Sequence, residues 1–286
     1  MTAVAILGYG EAGSIFARDL HAAGVAPLAA YDVLFDPAHP ACAPPAKAAG
    51  NPQNAVADAD LVISAVTAGS ALAAAESVGS AIRPGAIYLD INSVSPGTKR
   101  AAFEIVDKAG ARYVEAAVMA SVPPHGIRVP MLLGGPYARD AAVTLATLGF
   151  NAKHHSDAIG VASAVKMCRS VVIKGLEALL TESLVSARHY GVEADVLASL
   201  NATFPNEDWE TLAAYMIGRA MQHGRRRAEE MREVALTLEE AGLSPALSRA
   251  TAERQDWAYA LGCGRNVEEL DAILDVLAPA IDGAAQ

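Results

Sequence analysis

The sequence predicts an α/β domain built on a doubly wound parallel sheet, followed by an all-α domain. Three observations carry this. Short, wholly apolar runs alternate with helical patterns up to residue 156; the first of these runs ends in a glycine-rich turn; and beyond residue 156 the β signal stops, with apolar residues recurring at helical spacing. The sequence boundaries are therefore 1–156 and 157–286, joined by a long helix from Ala158 to about Tyr190.

Residues 3–7, Ala-Val-Ala-Ile-Leu, read as a central strand buried on both faces. Gly8-Tyr9-Gly10-Glu11-Ala12-Gly13 follows, then a helical pattern from Ser14 to Ala23, then a strand over Ala26–Tyr31 that ends in Asp32. This is G-x-G-x-x-G in its full setting of strand, turn, helix and strand, the mark of a Rossmann-type dinucleotide site. Gly8 permits the tight turn, Gly10 lets a pyrophosphate approach the backbone, and Gly13 lets helix pack on strand. The helix N-terminus offers its amides and positive dipole end to the phosphates. Tyr9, Glu11 and Ala12 complete the cofactor-binding turn. Asp32 stands 24 residues after Gly8, where a carboxylate accepts from ribose hydroxyls and repels a 2′-phosphate. No arginine follows in Val33-Leu34-Phe35, so NAD is expected rather than NADP. The plain alternative for Asp32 is a turn-initiating residue.

Residues 36–57, with Pro37, Pro40, Pro44, Pro45 and Pro52, read as an irregular connection holding at most one short helix. Leu61–Ser64 is the next strand, and its carboxyl end puts Ala65, Val66 and Thr67 at the ligand-facing edge of the sheet. A helix over Ala71–Ile82 stops at Arg83-Pro84-Gly85, and Ile87–Asp90 is again a strand. The loop Asp90-Ile91-Asn92-Ser93-Val94-Ser95-Pro96 leads into a helix over Gly97–Ala109. Asn92, Ser93 and Ser95 either hydrogen-bond a ligand there or serve as turn and cap residues. Strands over Arg112–Val118 and Met131–Leu133 flank the loop Met119–Pro130, whose His125 is given no role. A helix over Arg139–Leu148 and a strand over Asn151–His154 close the α/β part. Helices at about 194–200, 207–241, 244–262 and 267–281 complete the chain.

A net charge of −10 and a pI near 5.2 argue against a general nucleic-acid binder and a polybasic membrane-surface protein. An anionic substrate would need a local basic pocket. Cys42, Cys168 and Cys263 are odd in number and far apart, which suits a reducing compartment and fits neither a disulfide framework nor a zinc site; no metal is expected. The first residues lack the basic region of a signal peptide, and the longest uncharged run, Leu61–Ala75, is too short to span a bilayer. A cytoplasmic protein with no membrane partner is expected.

Within the long helix, Lys166 lies among Val165, Met167, Val171 and Val172, with Arg169 one turn on. Burying a lysine costs several kcal/mol unless it deprotonates, pairs or does chemistry. A structural ion pair or a snorkelling side chain is the plain alternative. Arg169 at i+3 can fork onto a carboxylate or phosphate, Ser170 at i+4 can reach a substrate hydroxyl, and Lys174 at i+8 extends the polar stripe unless it pairs with Glu177. On a later helix Arg219, His223, Arg226 or Arg227, and Glu230 share one face: a cationic surface over an anionic substrate, or a side laced with ion pairs.

Taken together, Gly8–Gly13, Asp90–Pro96 and Gly160–Ser170 resemble, in order and spacing, the anchors of the β-hydroxyacid dehydrogenases, which include the 3-hydroxyisobutyrate and 6-phosphogluconate dehydrogenases. The second resembles the family's D-x-S-T-x-x-P substrate loop, and the third its G-x-G-x-x-x-K-x-x-N-N helix. Glu115–Val118 followed by Met131–Gly135 adds a weaker match. The resemblance implies Lys166 as general acid/base, with Asn92 and Ser93 at the substrate and Asn92 also at the cofactor. It departs from the family twice. Arg169 and Ser170 replace the two asparagines, and Met119-Ala120-Ser121 replaces Ser-Gly-Gly, which leaves Met119 and Ser121 to line the substrate. His223–Met231 resembles a subgroup with a small C-terminal α domain. The implied activity is NAD-dependent interconversion of a small hydroxy acid or sugar acid with its keto or aldehyde form, with decarboxylation where the product is a β-keto acid. An imine reductase or reductive aminase, and a non-catalytic NAD-binding sensor, are the alternatives. A helix of thirty residues spans about 45 Å, so a homodimer through the α domain is expected.

Overall fold

The computed structural model describes residues 2–26, 28–35, 47–205, 207–262 and 267–282. The readings for residues 36–46, including Cys42, and for Cys263 lie outside these. The chain divides into two compact units, Met1–Met167 and Cys168–Gln286, eleven residues beyond the sequence boundary and inside the long helix.

In the first unit the order is β1 (Val4–Leu7), α1 (Glu11–Ala22), β2 (Leu28–Tyr31), β3 (Lys47–Ala48), α2 (Pro52–Val56), β4 (Leu61–Ser64), α3 (Ala71–Val78), β5 (Ile87–Asp90), α4 (Pro96–Lys108), β6 (Arg112–Val118), β7 (Met131–Gly134), α5 (Ala138–Thr147) and β8 (Ala152–Ser156). The sheet runs β3-β2-β1-β4-β5-β6-β7-β8, parallel except where β7 meets β6. The direction of winding reverses between β1 and β4, and the carboxyl ends of strands at such a switch point are where ligands bind.

The apolar strands are buried on both sides, as their composition predicts. Val4, Ile6, Ile63 and Leu89 pack on one face with Phe16 and Leu20 of α1 and Leu145 of α5. Ala5, Leu7, Val62 and Tyr88 pack on the other with Val56, Val78 and Val106. Helix α1 starts at Glu11, not Ser14, because the Ser14 N–H already donates to the Gly10 carbonyl (3.0 Å). The connection before β4 carries a two-residue strand as well as the expected short helix.

Helix α6 (Val161–Tyr190) opens in the first unit; the second unit holds its remainder with α7 (Glu193–Thr203), α8 (Trp209–Glu240), α9 (Ala246–Gly262), α10 (Leu270–Leu277) and α11 (Pro279–Asp282). The single helix expected near 267–281 breaks before Pro279, whose ring removes a donor and crowds the preceding turn. Leu184, Ile217, Met221, Ile273 and Leu274 are the centre of this unit's core. No described helix is long and apolar enough to cross a membrane.

One polar cluster sits deep in the first unit. Asp90 and Lys99 are each 1 % exposed and form an ion pair at 2.9 Å, and the Tyr113 hydroxyl donates to the second carboxylate oxygen at 2.7 Å. Burial and the Asp90 charge hold both Tyr113 and the neighbouring Tyr88 phenol protonated well above the ordinary tyrosine range. In the unfolded chain these phenols ionise near pH 10. Their stabilisation is therefore complete below about pH 10 and is lost as the pH rises beyond it. Tyrosinate absorbance should show Tyr88 and Tyr113 resisting titration until the chain unfolds, with Tyr88→Phe and Tyr113→Phe identifying their share, whereas their ionisation in the folded chain would contradict this packing.

Candidate active site

The glycine turn has the geometry its sequence demands. Gly8 adopts φ +88°, and a Cβ there would lie 2.5 Å from the Ala65 carbonyl oxygen. A Cβ on Gly13 would lie 2.0 Å from the Gly8 carbonyl, so strand, turn and helix are in backbone contact. Gly10 differs: it is exposed, and a Cβ there would meet nothing within 4 Å. No side chain caps α1, whose first-turn N–H groups have no intrahelical acceptors. Open space over Gly10 beside these donors fits a dinucleotide pyrophosphate.

Asp32 is engaged in the turn as well. Its carboxylate accepts from the Tyr9 N–H (2.6 Å) and the Leu34 N–H (2.9 Å), tying the end of β2 to the glycine loop. Each oxygen keeps a further lone pair, so this role and ribose binding are compatible. Ala65 and Val66 are half-buried at the carboxyl end of β4, and Thr67 is exposed beyond them.

The loop after β5 is held from beneath. Asp90 accepts from the Asn92 N–H (2.9 Å), and the Lys99 ammonium also donates to the Asp90 carbonyl (2.8 Å). Ser95 caps α4 through the Thr98 N–H (3.1 Å). The Asn92 amide donates to the Ser64 hydroxyl (2.9 Å), while its oxygen is buried without a partner among the described residues. Such an acceptor suits a donor on a bound molecule. Ser93 is half-buried, and its hydroxyl accepts from Lys166 at 2.5 Å. Lys166 is thus half-buried and hydrogen-bonded; of the apolar neighbours expected to enclose it, Val165 is 39 % and Val172 is 67 % exposed.

The loop between β6 and β7 is pinned to α1, because the Asp19 carboxylate accepts the Ile127 N–H at 3.1 Å. Met119 is half-buried at its start and Ser121 is exposed. The structure therefore gathers Gly8–Gly13, Asp32, Ala65, Val66, Asn92, Ser93 and Lys166 on the carboxyl edge of one sheet.

The other predicted residues lie in the helical unit. Arg169 is exposed and makes no ion pair with a described residue. Ser170 is buried and accepts from Lys174 (3.3 Å). Lys174 pairs with Glu230 (2.7 Å) rather than with Glu177, and Arg226 joins the same carboxylate (3.0 Å). Glu177, fully buried, receives both arms of Arg227 and the Gln255 amide (2.7 Å). Arg219 stands 3.9 Å from Glu177, with its guanidinium 5.5 Å from the Tyr215 ring centroid. The predicted cationic face is thus largely neutralised by Glu177 on α6 and Glu230 on α8, with His223 half-buried beside it.

Three residues organise these sites in ways sequence reasoning missed: Lys99 was given no role, Glu115 only a place in a motif match, and Glu177 only a pairing with Lys174. Glu115, on β6, accepts from the Gly160 N–H (2.9 Å), the Ala162 N–H (3.0 Å) and the Ser163 hydroxyl (3.0 Å) at the start of α6. For Glu115 and Glu177 the available signal was a charge inside a largely apolar run, since a buried carboxylate requires partners; Lys99, between Thr98 and Arg100, gave no such signal.

A nucleotide turn at a switch point with a lysine at the same edge defines the class: a dinucleotide-binding oxidoreductase fold with a helical second domain. Residues 3–125 match the NAD binding domain of 6-phosphogluconate dehydrogenase, and residues 187–258 match a domain of unknown function, DUF1932. A conserved hypothetical protein from Sinorhizobium meliloti is 38 % identical over 98 % of this chain and 96 % of its own, with a TM-score of 0.76. A conserved protein described as structurally similar to 3-hydroxyacid dehydrogenases is 32 % identical over 92 % and 100 % of the two chains, with a TM-score of 0.66. The Mycobacterium tuberculosis 3-hydroxyisobutyrate dehydrogenase, 19 % identical over 97 % and 99 %, shares the fold at a TM-score of 0.74. The chain belongs to the β-hydroxyacid dehydrogenase family, in the group related to 3-hydroxyisobutyrate and 6-phosphogluconate dehydrogenases. Its first domain is an NAD(P)-binding domain.

Because no described residue lies within 4 Å of where a Gly10 Cβ would stand, Gly10→Ala should leave the melting temperature unchanged. It should weaken dinucleotide binding by about tenfold or more, since close backbone approach is what this glycine provides. Isothermal calorimetry with NAD checks this; unaltered affinity would remove the turn from the binding site.

Proposed function

We propose that this chain is an NAD-dependent oxidoreductase that interconverts a small hydroxy acid and its keto or aldehyde form, with Lys166 as the general acid/base. The observation that carries the reading is the hydrogen bond from Lys166 to Ser93, which holds an amine at the sheet edge bearing the nucleotide turn. A bound nicotinamide dinucleotide supplies hydride acceptance. The protein's own residues manage the proton and the binding. The neutral amine of Lys166 takes the substrate hydroxyl proton and returns it in the reverse direction, and Ser93 fixes the amine's position. Asn92 presents its free oxygen to a donor on the bound molecules. The exposed guanidinium of Arg169 takes a substrate carboxylate by a two-pronged hydrogen bond, and Ser170 is assigned to the substrate hydroxyl. Met119 and Ser121 are assigned to the substrate side of the site. Asp32, with no cation in Val33-Leu34-Phe35 to receive a 2′-phosphate, supports NAD over NADP.

Val165, Val172 and Leu179 recur at heptad spacing along α6 and are 39 %, 67 % and 64 % exposed. Such a stripe fits a second copy of the chain in a homodimer. Light scattering should give twice the chain mass, and a monomer at micromolar concentration would overturn the assignment. The scattered cysteines support a reducing, cytoplasmic setting.

Replacing Lys166 by Met should lower turnover about 10²–10⁴-fold with dinucleotide affinity intact. The assay is formation of reduced dinucleotide on a panel of hydroxy acids, sugar acids and their phosphates, run with NAD and NADP. Wild-type turnover in Lys166→Met would defeat the assignment. Turnover of cyclic imines without oxidation of any hydroxy acid would instead favour the imine reductase reading.

A further inference from the structure

We infer that Glu115 is a positioning residue for Lys166: its carboxylate locks the first turn of α6 and thereby sets where the amine stands. This rests on the assignment of Lys166 above. Glu115 is 0 % exposed within a seven-residue strand, the costliest place for a carboxylate. Its oxygens are consumed by one structure. One oxygen takes the N–H groups of Gly160 and Ala162, and the other takes the Ser163 hydroxyl, which itself also donates to the Gly160 carbonyl (3.0 Å). A carboxylate from another element thus serves as the cap of α6, where the helix dipole favours negative charge.

Helical geometry connects this cap to the amine. Ala162 and Ser163 stand at i−4 and i−3 from Lys166, so all three share one face of α6. The turn beneath the lysine is fastened to β6, and the lysine itself is fastened to the loop after β5. Those strands are adjacent and parallel, with Asp90 and Glu115 as register partners. Both ends of the arrangement are therefore referred to one rigid pair of strands.

The surroundings are shaped for it. Opposite Glu115 on β7 stands Gly134, where a Cβ would come 2.2 Å from the carboxylate oxygen, so glycine makes the room. Gly160 has φ +98°, and a Cβ there would lie 2.9 Å from an Arg100 guanidinium nitrogen and 3.1 Å from Pro96. The chain entering α6 is thereby packed against the end of the Asn92–Ser93 loop.

The test uses the full-length chain with Glu115→Ala, Glu115→Gln and Ser163→Ala. Amide hydrogen exchange over residues 160–166 reads the cap without any turnover. In Glu115→Ala, exchange at Gly160 and Ala162 should quicken by about tenfold or more, because the acceptor is gone. In the same variant kcat should fall up to about 10²-fold, the scale expected when a reacting group is displaced by an ångström. Dinucleotide affinity, carried by the glycine turn to which Glu115 makes no hydrogen bond, should stay within about twofold of wild type. Glu115→Gln keeps the shape and an oxygen for the two N–H groups, and should recover most of the lost kcat. Should Glu115→Ala fail to fold, Ser163→Ala removes one arm and should show the same two changes in smaller degree. Unchanged exchange in these variants, or accelerated exchange with undiminished kcat, would overturn the proposal. Loss of the Lys166 assignment would show separately, as full turnover in Lys166→Met while the exchange result stands.

Discussion

The structure of the first unit depends on two carboxylates buried side by side. Asp90 and Glu115 are register partners on adjacent parallel strands, so their side chains leave the same face of the sheet. Two like charges in a core are tolerable only if each is fully compensated. Asp90 is compensated by Lys99, the Tyr113 hydroxyl and the Asn92 backbone N–H; Glu115 is compensated by the backbone N–H groups and hydroxyl that open α6. One carboxylate shapes the loop that carries Asn92 and Ser93. The other anchors the helix that carries Lys166. The row extends sideways to Ser64, which receives the Asn92 amide, and to Gly134, whose missing side chain gives Glu115 its space.

This explains what was legible in the sequence and what was not. Strand and helix positions follow from local periodicity, and Leu61–Ser64, Ile87–Asp90 and Arg112–Val118 have the bounds read from their apolar runs. The glycine turn was legible because Gly8 and Gly13 answer backbone contacts that a Cβ would break, while Gly10 completes the spacing with open space above it. The partners of buried charges were not. Lys99 reaches Asp90 across nine residues, whereas Glu115 reaches Ser163 across 48 and Glu177 reaches Gln255 across 78. Such pairings are set by how elements pack, and no local spacing announces them.

The helical unit repeats the same device with different chemistry. Glu177 sits at its centre, forked by Arg227 and closed by Gln255, while Glu230 gathers Lys174 and Arg226. A sequence reading that places Arg219, His223, Arg226 and Arg227 on one face is correct about the helix and incomplete about the charge. The carboxylates that neutralise much of this face lie on α6 and on α8 itself. Removing one partner from such a buried pair is costly, whereas the intact pair adds little net stability. The more direct consequence of the network is that Lys174 and Ser170 are held in place.

Arg169 stands apart from that economy. Lys174, Arg226 and Arg227 each meet a carboxylate, yet Arg169, on the same helix as Lys166, is exposed and pairs with no described residue. An exposed arginine is ordinary on a surface and has no stabilising role to explain it. Its place bears on the proposed function, since it stands three residues after the lysine, where the motif that Gly160–Ser170 resembles has an asparagine. A neutral amide recognises a hydroxyl with two weak donors and one acceptor. A guanidinium offers only donors and a permanent charge, which selects an anion of planar or tetrahedral oxygens. On the reading proposed above, the exchange would move recognition from a substrate hydroxyl toward a substrate charge, while Ser93 and the Glu115 cap still hold Lys166.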